Sequence, residues 1–433
     1  MRATHGSIAL VGAITLAGGA FAGEGATDAD LRSRVAELEA RLATLQAQNG
    51  DQWLTEARAA EIRSLVQDVL ADADTRTSLL QGGTAGWDKG FFLASGDGKF
   101  KLKINGQLQF RYVFNHQDED ATEDTSRGGF ENRRTKLTFE GHVVDPSWKY
   151  HVTGAFARDG GSFLLEDAYI AKDLGNGWEL MVGQFKLPFM IEETISSKRQ
   201  LAVDRSLVNE EYNQDRSQGV QMSYTADQFR FYVAYSDGFM TANTAALGYD
   251  TEWAFTGRAE VLLAGKWSQF RDFTSFKGEE FGFQLGGAAH YEKAEVGTAA
   301  GPEEKMFTWT VDAMLEFGGA NLFAAIVGRH LDEANVDQYG FVIQGGFFVT
   351  DDVELFGRYE WSDFDVDGVE DLSVITVGVN KYWDKHNIKW TTDLGYGLDT
   401  VSSPFSASGV GWRSDAGDED GQIVFRTQLQ MLF

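Results

Sequence analysis

The stretch Lys101-Leu102-Lys103-Ile104-Asn105-Gly106-Gln107-Leu108-Gln109-Phe110-Arg111-Tyr112-Val113-Phe114 has two faces. Leu102, Ile104, Leu108, Phe110, Tyr112 and Phe114 fall on one, and Lys101, Lys103, Asn105, Gln107, Gln109 and Arg111 on the other. A period of two marks a β-strand whose sides meet different surroundings. Taken alone, the strand suits a soluble sandwich with its polar face outward or a membrane barrel with its apolar face outward.

The rest of the chain separates the two cases. Similar runs follow near 131–144, 148–157, 163–173, 178–187, 218–226, 228–236, 254–264, 280–293, 305–317, 320–330, 338–350, 352–363, 371–382, 387–398 and 422–433. With the first they make about sixteen, an even number as in bacterial single-chain barrels. Their connections alternate in length. Asp145-Pro146-Ser147, 174–177, Ala226-Asp227, Gly318-Gly319 and Thr350-Asp351-Asp352 are short, whereas 115–130, 188–217, 237–253, 294–304 and 399–421 are long. Short periplasmic turns facing long external loops are the habit of outer-membrane barrels. One connection, 265–279, is long where a short one belongs, and is read as a misplaced strand end. The chain closes on Ile423-Val424-Phe425-Arg426-Thr427-Gln428-Leu429-Gln430-Met431-Leu432-Phe433, alternating into a terminal aromatic.

Composition agrees with a barrel that is apolar outside and wet inside: 49 Gly, 4 Pro, 32 Phe, 11 Trp and 13 Tyr, a mixture of strand-forming aromatics and turn glycines. Beyond the N-terminus no run reaches about eighteen apolar residues, so only a closed barrel could span a bilayer. Cysteine is absent, which removes disulfides, thiol nucleophiles and Cys-ligated metals.

Arg2, the apolar stretch from Ile8 to Leu16 and the small residues ending Ala20-Phe21-Ala22 read as a signal peptide over 1–22. Leu31, Val35, Leu38, Leu42 and Leu45 alternate spacings of four and three, the seam of a short coiled coil. An amphipathic helix packed on another surface fits the same pattern. A second helical stretch, Trp53 to Leu70, follows, and Gly82, Gly83 and Gly86 mark a linker. The expected organisation is a signal peptide (1–22), a helical coiled-coil stalk and linker (23–86), and a barrel (87–433). The fold class is all-β, a sixteen-stranded antiparallel transmembrane β-barrel preceded by a short α-helical coiled-coil segment.

Four stretches carry a family likeness: Phe130 to Gly141 (FENRRTKLTFEG), Leu165 to Ile170 (LEDAYI), Val182 to Phe189 (VGQFKLPF), and Glu192-Glu193-Thr194-Ile195-Ser196-Ser197 leading to Asp204-Arg205-Ser206. In these the chain resembles the phosphate-selective porin O and P family, over roughly residues 90–433 and more specifically in the first half. The resemblance implies an outer-membrane trimer of sixteen-stranded channels. It also implies a third long loop that folds inward, and basic residues that coordinate phosphate-like anions.

An anion leaving bulk water needs donors and positive charge along its route. Lys101, Lys103 and Arg111 stand on the polar face of the first strand, and Arg134, Lys136 and His142 on that of the second. Arg133 and Arg134 match the family's paired arginines, and strand parity admits one of them to the lumen unless a bulge intervenes. Lys186 precedes Pro188, and the connection 188–217 carries Lys198, Arg199, Arg205 and Arg216 among Glu192, Glu193, Asp204, Glu210, Glu211 and Asp215. In the family this loop ends Glu-Arg-Ser, and Asp204-Arg205-Ser206 keeps that chemistry with a shorter acid. The alternative for these cations is plain solvation of the lumen against Glu140 and Asp167.

The net charge of −27 argues against nucleic acid as a partner. It also leaves open a general or cation-preferring porin, since pore selectivity depends on which charges face the route. A structural role, tying the outer membrane to peptidoglycan through a periplasmic stalk, is a third reading. The partners expected are small anions such as phosphate, outer-membrane lipid and lipopolysaccharide, and further copies of the chain in a homotrimer. The acidic runs Asp118–Asp124 and Asp415–Asp420 read as solvated external loops. Seven histidines without HExxH or HxH spacing, and no GxSxG, Walker A or dinucleotide motif, point away from an enzyme, a cofactor or a metal. Asp363-Phe364-Asp365-Val366-Asp367-Gly368 resembles half an EF-hand loop, but Val374 stands where the bidentate Glu belongs.

Overall fold

The computed structural model describes residues 36–37, 39–40, 64 and 83–433, apart from 119–124, 249, 296–302, 407–408 and 416–419. Ala36, Glu37, Glu39, Ala40 and Ser64 are helical. The signal-peptide residues and the seam residues Leu31, Val35, Leu38, Leu42 and Leu45 lie outside the described residues, as does most of each acidic run.

Eighteen strands are described in the unit from Gln81 to Phe433. A hairpin, β1 (Gly83–Trp87) and β2 (Phe91–Ser95), precedes β3 (Lys101–His116), β4 (Ser126–His142), β5 (Trp148–Phe156), β6 (Phe163–Gly175), β7 (Trp178–Lys186), β8 (Arg216–Thr225) and β9 (Phe229–Ser236). There follow β10 (Thr251–Ala264), β11 (Gly282–Glu295), β12 (Glu303–Glu316), β13 (Ala320–Leu331), β14 (Val336–Phe348), β15 (Val353–Asp363), β16 (Leu372–Asp384), β17 (Ile388–Gly397) and β18 (Ile423–Leu432). From β3 to β18 each strand pairs antiparallel with the next, and β18 returns to β3, so sixteen strands close a barrel. At the seam Gly106 and Phe433 exchange both backbone hydrogen bonds, at 2.6 and 3.1 Å. The ring of Phe433 covers Gly106 so closely that a Cβ there would lie 2.1 Å from it. The terminal aromatic is therefore the stitch that ends the seam.

Parity in the structure follows the barrel reading of the two faces. Leu108 and Phe110 are 42% and 49% exposed on the outer wall, whereas Gln107, Gln109 and Arg111 are 6%, 2% and 1% exposed inside it. An apolar exterior around a polar interior is a wall built for lipid. Trp148, Trp178 and Trp383 are exposed at the short-turn end, and Tyr235, Tyr291, Tyr339 and Tyr396 toward the long-loop end. These positions match the aromatic girdles of membrane barrels.

Two expectations are corrected. Residues 83–86 are not linker alone, because β1 pairs with β2, and β2 pairs with β3 from Phe91↔Ile104 to Ala94↔Lys101, beyond the stretch of β3 that β18 occupies. The turn Asp88-Lys89-Gly90 was its sequence signal. The long connection after β10 is not a misplaced strand end, since β10 stops at Ala264 and β11 starts at Gly282. Residues 265–281 form a genuine loop, and its Phe270 and Phe273 are buried.

The lumen is not uniformly wet. Residues 187–215, between β7 and β8, fold inside and contain two short helices, α1 (Ile191–Thr194) and α2 (Leu207–Tyr212). Leu207, Val208 and Tyr212 pack with Val327, Leu372, Val374 and Trp412, while Ile195, Leu201 and Ala202 pack with Phe270, Phe323, Val342 and Phe356. The apolar inward residues of β13 to β16 are thus the seat of this loop.

Close strand approach imposes its own residue. Gly183 in β7 has φ +132°, and a Cβ there would sit 2.2 Å from the carbonyl oxygen of Ala168. Gly183→Ala is expected to cost about 1–3 kcal/mol of backbone strain, read as a lower denaturant midpoint for the refolded barrel; an unchanged midpoint would refute that constraint.

Candidate functional site

The inward loop has irregular backbone at membrane depth, and such backbone persists only where protein or a wet lumen satisfies it. The inner wall does so group by group. Carbonyls of the loop accept from the side chains of Gln109 (Ser197 O, 3.3 Å), Gln430 (Lys198 O, 3.0 Å), Lys389 (Gln200 O, 2.7 Å), Asn380 (Leu201 O, 2.9 Å) and Arg358 (Asp204 O, 2.9 Å). Asp393, gripped by Arg426 at 2.7 and 3.0 Å, accepts from the Val203 N–H at 2.9 Å.

Asp204 is the loop's main anchor. Its carboxylate meets Arg111, Arg134 at 2.8 Å and Arg133 at 3.3 Å. Arg111 also pairs with Glu131 at 2.5 Å and donates to the Gly409 carbonyl at 2.6 Å. Burial works to raise the Asp204 pKa, but the guanidinium groups of Arg133, Arg111 and Arg134 hold it well below the ordinary carboxylate value. Both adjacent arginines reach it because the β3–β4 register shifts at Gln109↔Arg134 and Phe110↔Asn132, leaving Arg133 as the extra residue of a bulge. A second shift, between Thr153↔Asp167 and Gly154↔Leu165, turns both Glu166 and Asp167 inward. The bulges fall within two of the stretches singled out from sequence, FENRRTKLTFEG and LEDAYI.

The other two residues of the Asp-Arg-Ser triplet also hold the loop. Arg205 donates to the carbonyls of Glu192 and Ile195 at 2.9 Å and pairs with the Glu193 carboxylate at 3.2 Å. Ser206 caps α2 by accepting from the Asn209 N–H, and gives its own N–H and hydroxyl to Glu192.

Between this loop and the inner wall of β3 to β10 runs a cavity of about 750 Å³. Its lining includes five lysines (89, 103, 136, 186 and 198) and five arginines (199, 205, 216, 258 and 271), against the four carboxylates Glu140, Glu166, Asp167 and Glu260. Most of the cations are paired: Lys136 with Glu166 (2.6 Å), Lys186 with Glu193 (2.5 Å), Arg216 with Asp167 (2.8 Å), Arg258 with Asp312 (2.8 Å) and Lys103 with Glu140 (3.7 Å). Lys198 and Arg199, at the bend of the loop, form no ion pair among the described residues. Burial, and then the Arg199 guanidinium, push the Lys198 ammonium below the usual lysine range.

The expected site residues therefore fall into three groups. Lys103, Lys136, Lys186, Lys198, Arg199 and Arg205 line the cavity. Arg111, Arg133 and Arg134 converge on Asp204 instead. Lys101 stands apart at the short-turn end, paired with Asp88 at 3.3 Å and over the Phe92 ring at 4.9 Å. Lys89, Arg258 and Arg271 line the cavity without having been foreseen. Arg271 was legible only through the connection that seemed too long. Among the described residues no cluster of acids and histidines could hold a metal ion.

Removing a partner from a buried pair strands the charge left behind, at about 3–5 kcal/mol. Asp204→Asn is accordingly expected to lower the unfolding free energy of the barrel by about that much, measured in denaturant. The pair's contribution is complete above the ordinary aspartate value of 3.8. Because the folded-state pKa is depressed, it is lost only as pH falls well below that value. Wild-type resistance no greater than that of the variant at neutral pH would remove Asp204 from this role.

Three solved structures have the same fold at low identity. An anion-selective porin from Comamonas acidovorans aligns with a TM-score of 0.54 and 14% identity, over 77% of this chain and 99% of that one. The outer membrane channel DcaP of Acinetobacter baumannii gives 0.53 and 12%, over 80% and 100%. The trimer form of in-vitro folded OmpT, an outer membrane protein of Vibrio cholerae, gives 0.50 and 17%, over 77% and 99%. A comparison with curated protein sequences finds no match. The family model for phosphate-selective porin O and P matches residues 102–398, from the first barrel strand to the end of the seventeenth described strand, with both bulges and the inward loop inside the match. The chain belongs to the phosphate-selective porin O and P family.

Proposed function

We propose that this outer-membrane porin passes small anions by passive diffusion, oxyanions such as phosphate among them, and catalyses no reaction. The observation that carries the reading is the excess of ten cations over four carboxylates around the cavity, in a chain whose total charge is −27. A pore responds to the charges that face its route, within walls that keep screening low. The acid excess of the whole chain therefore does not set its preference. Lys198 and Arg199 are the residues assigned the main share. Their charge is not paired with a carboxylate of the described residues, so it is available to a passing anion. Homotrimer formation is part of the proposal, supported by the family and by the trimer form of OmpT.

The test is the reversal potential of the mature protein in planar bilayers across a potassium chloride gradient. Wild type is expected to prefer chloride and to lose chloride conductance as phosphate is added. Lys198→Glu combined with Arg199→Glu should lower the chloride-to-potassium permeability ratio by about tenfold or more, since four units of charge change beside the route. A wild-type channel that prefers potassium would leave a general or cation-preferring porin.

A further inference from the structure

Four adjacent strands each place one residue at the same level of the inner wall. Lys103 of β3 stands opposite Glu140 of β4, Glu140 opposite His151 of β5, and His151 opposite Tyr169 of β6. Directly opposed residues of an antiparallel pair have Cβ atoms about 4.5–5.5 Å apart, so their side chains meet. One oxygen of the Glu140 carboxylate lies 3.7 Å from the Lys103 ammonium, and the other lies 3.4 Å from His151 Nδ1. Asn105 donates to the same carboxylate at 3.0 Å. On its other side the imidazole stacks on the Tyr169 ring, with centroids 5.0 Å apart and planes 6° from parallel. All four residues of the row line the cavity, and the His151 side chain is 22% exposed.

The second ring nitrogen, Nε2, lies 2.9 Å from the Thr153 hydroxyl, which lies 3.0 Å from the Thr138 hydroxyl. A hydroxyl can donate or accept. With Nδ1–H directed at Glu140, Thr153 donates to Nε2 while the ring is neutral and accepts from Nε2–H once the ring is charged. Thr138 takes the hydroxyl proton that is then released from Nε2. Both protonation states are thus hydrogen-bonded in one geometry, and uptake of a proton calls for no movement of the wall. The other charges about the ring are accounted for. Asp167 on β6, within electrostatic reach of His151, is paired with Arg216 at 2.8 Å, and Lys149 on β5 itself with Glu179 at 2.6 Å. Lys198 of the inward loop lies within electrostatic reach of Glu140 and Lys103. The other described histidines, His116, His142, His290, His330 and His386, do not line the cavity.

We propose that His151 is a selectivity residue whose contribution depends on pH, and that acid conditions raise the share of current carried by anions. Imidazole is the side chain whose charge ordinarily changes between pH 5 and 8. While the ring is neutral, Lys103, Glu140 and His151 together carry no net charge. Protonation leaves the three with one positive charge facing the cavity, and Glu140 then serves two cations in place of one. This change adds to whatever preference the fixed charges create, so it holds for a pore that favours anions and for one that favours cations.

The experiment measures reversal potential in planar bilayers across a potassium chloride gradient, at about pH 8 and at about pH 5.5, where ordinary carboxylates remain ionised. It compares wild type with His151→Gln and His151→Arg. One elementary charge at about 6–8 Å in a water-like medium alters the local density of a monovalent ion by a factor of about two to three. The wild-type chloride-to-potassium ratio is expected to rise by about that factor on acidification. His151→Gln should keep the alkaline wild-type ratio at both pH values, and His151→Arg should show the raised ratio at both. A wild-type ratio that does not change with pH overturns the proposal, as does a full rise retained by His151→Gln. If the glutamine channel does not assemble, the arginine channel decides, because an alkaline ratio equal to that of wild type also overturns it. The sign of the wild-type preference at alkaline pH tests the anion reading separately, so either can fail alone.

Discussion

A sheet immersed in lipid can leave no edge unpaired, because the bilayer core offers nothing to its N–H and C=O groups. Everything else in this barrel follows from the return of β18 to β3. Closure sends one face of every strand to lipid and the other into a lumen shared by all sixteen. The polar residues that alternation requires are thereby crowded into one enclosed space. The exchange between Gly106 and Phe433, with a ring lying over a residue that has no side chain, ends the seam where the chain ends.

Crowding creates an electrostatic problem that the inward loop solves in part. Arg111, Arg133 and Arg134 converge in a confined interior, and like charges at that range repel unless an anion stands among them. Asp204 is that anion. The contact offsets part of that charge and fixes the loop, while Asp393 accepts from the Val203 N–H just before it and Arg358 donates to the carbonyl of Asp204 itself. The same packing buries the inward Phe323, Val342, Phe356 and Val374 of the far wall. The loop therefore packs on the far wall, and the cavity runs between it and the part of the wall formed by β3 to β10.

Around that cavity, pairing divides cations held by a carboxylate from cations that have no ion pair among the described residues. Lys136, Lys186, Arg205, Arg216 and Arg258 each face a carboxylate. Lys198, Arg199, Arg271 and Lys89 face the cavity without an ion pair among the described residues. Three of these lie on loops that the wall holds by backbone hydrogen bonds and apolar contacts.

The sequence by itself determined the strand count of the barrel, the orientation of its walls and the identity of the inward loop. These depend on a period of two, on connection lengths and on residues close together in the chain, such as Asp204-Arg205-Ser206. It also singled out Lys103, Lys136, Lys186, Lys198, Arg199 and Arg205, which line the cavity, since inward parity and loop membership are local properties. Only the tertiary structure decided which cations are neutralised. A register shift of one residue brings Arg133 beside Arg134, and the acid that binds them both lies some seventy positions further along the chain. Pairing of that kind is a distance in space, and alternation along a strand carries no record of it. The inward turn of residues 265–281 was hidden for a related reason. It is held by contacts with distant strands, such as those of Thr274 with Tyr382 and of Ser275 with Gly318, which exist only once the sheet has closed.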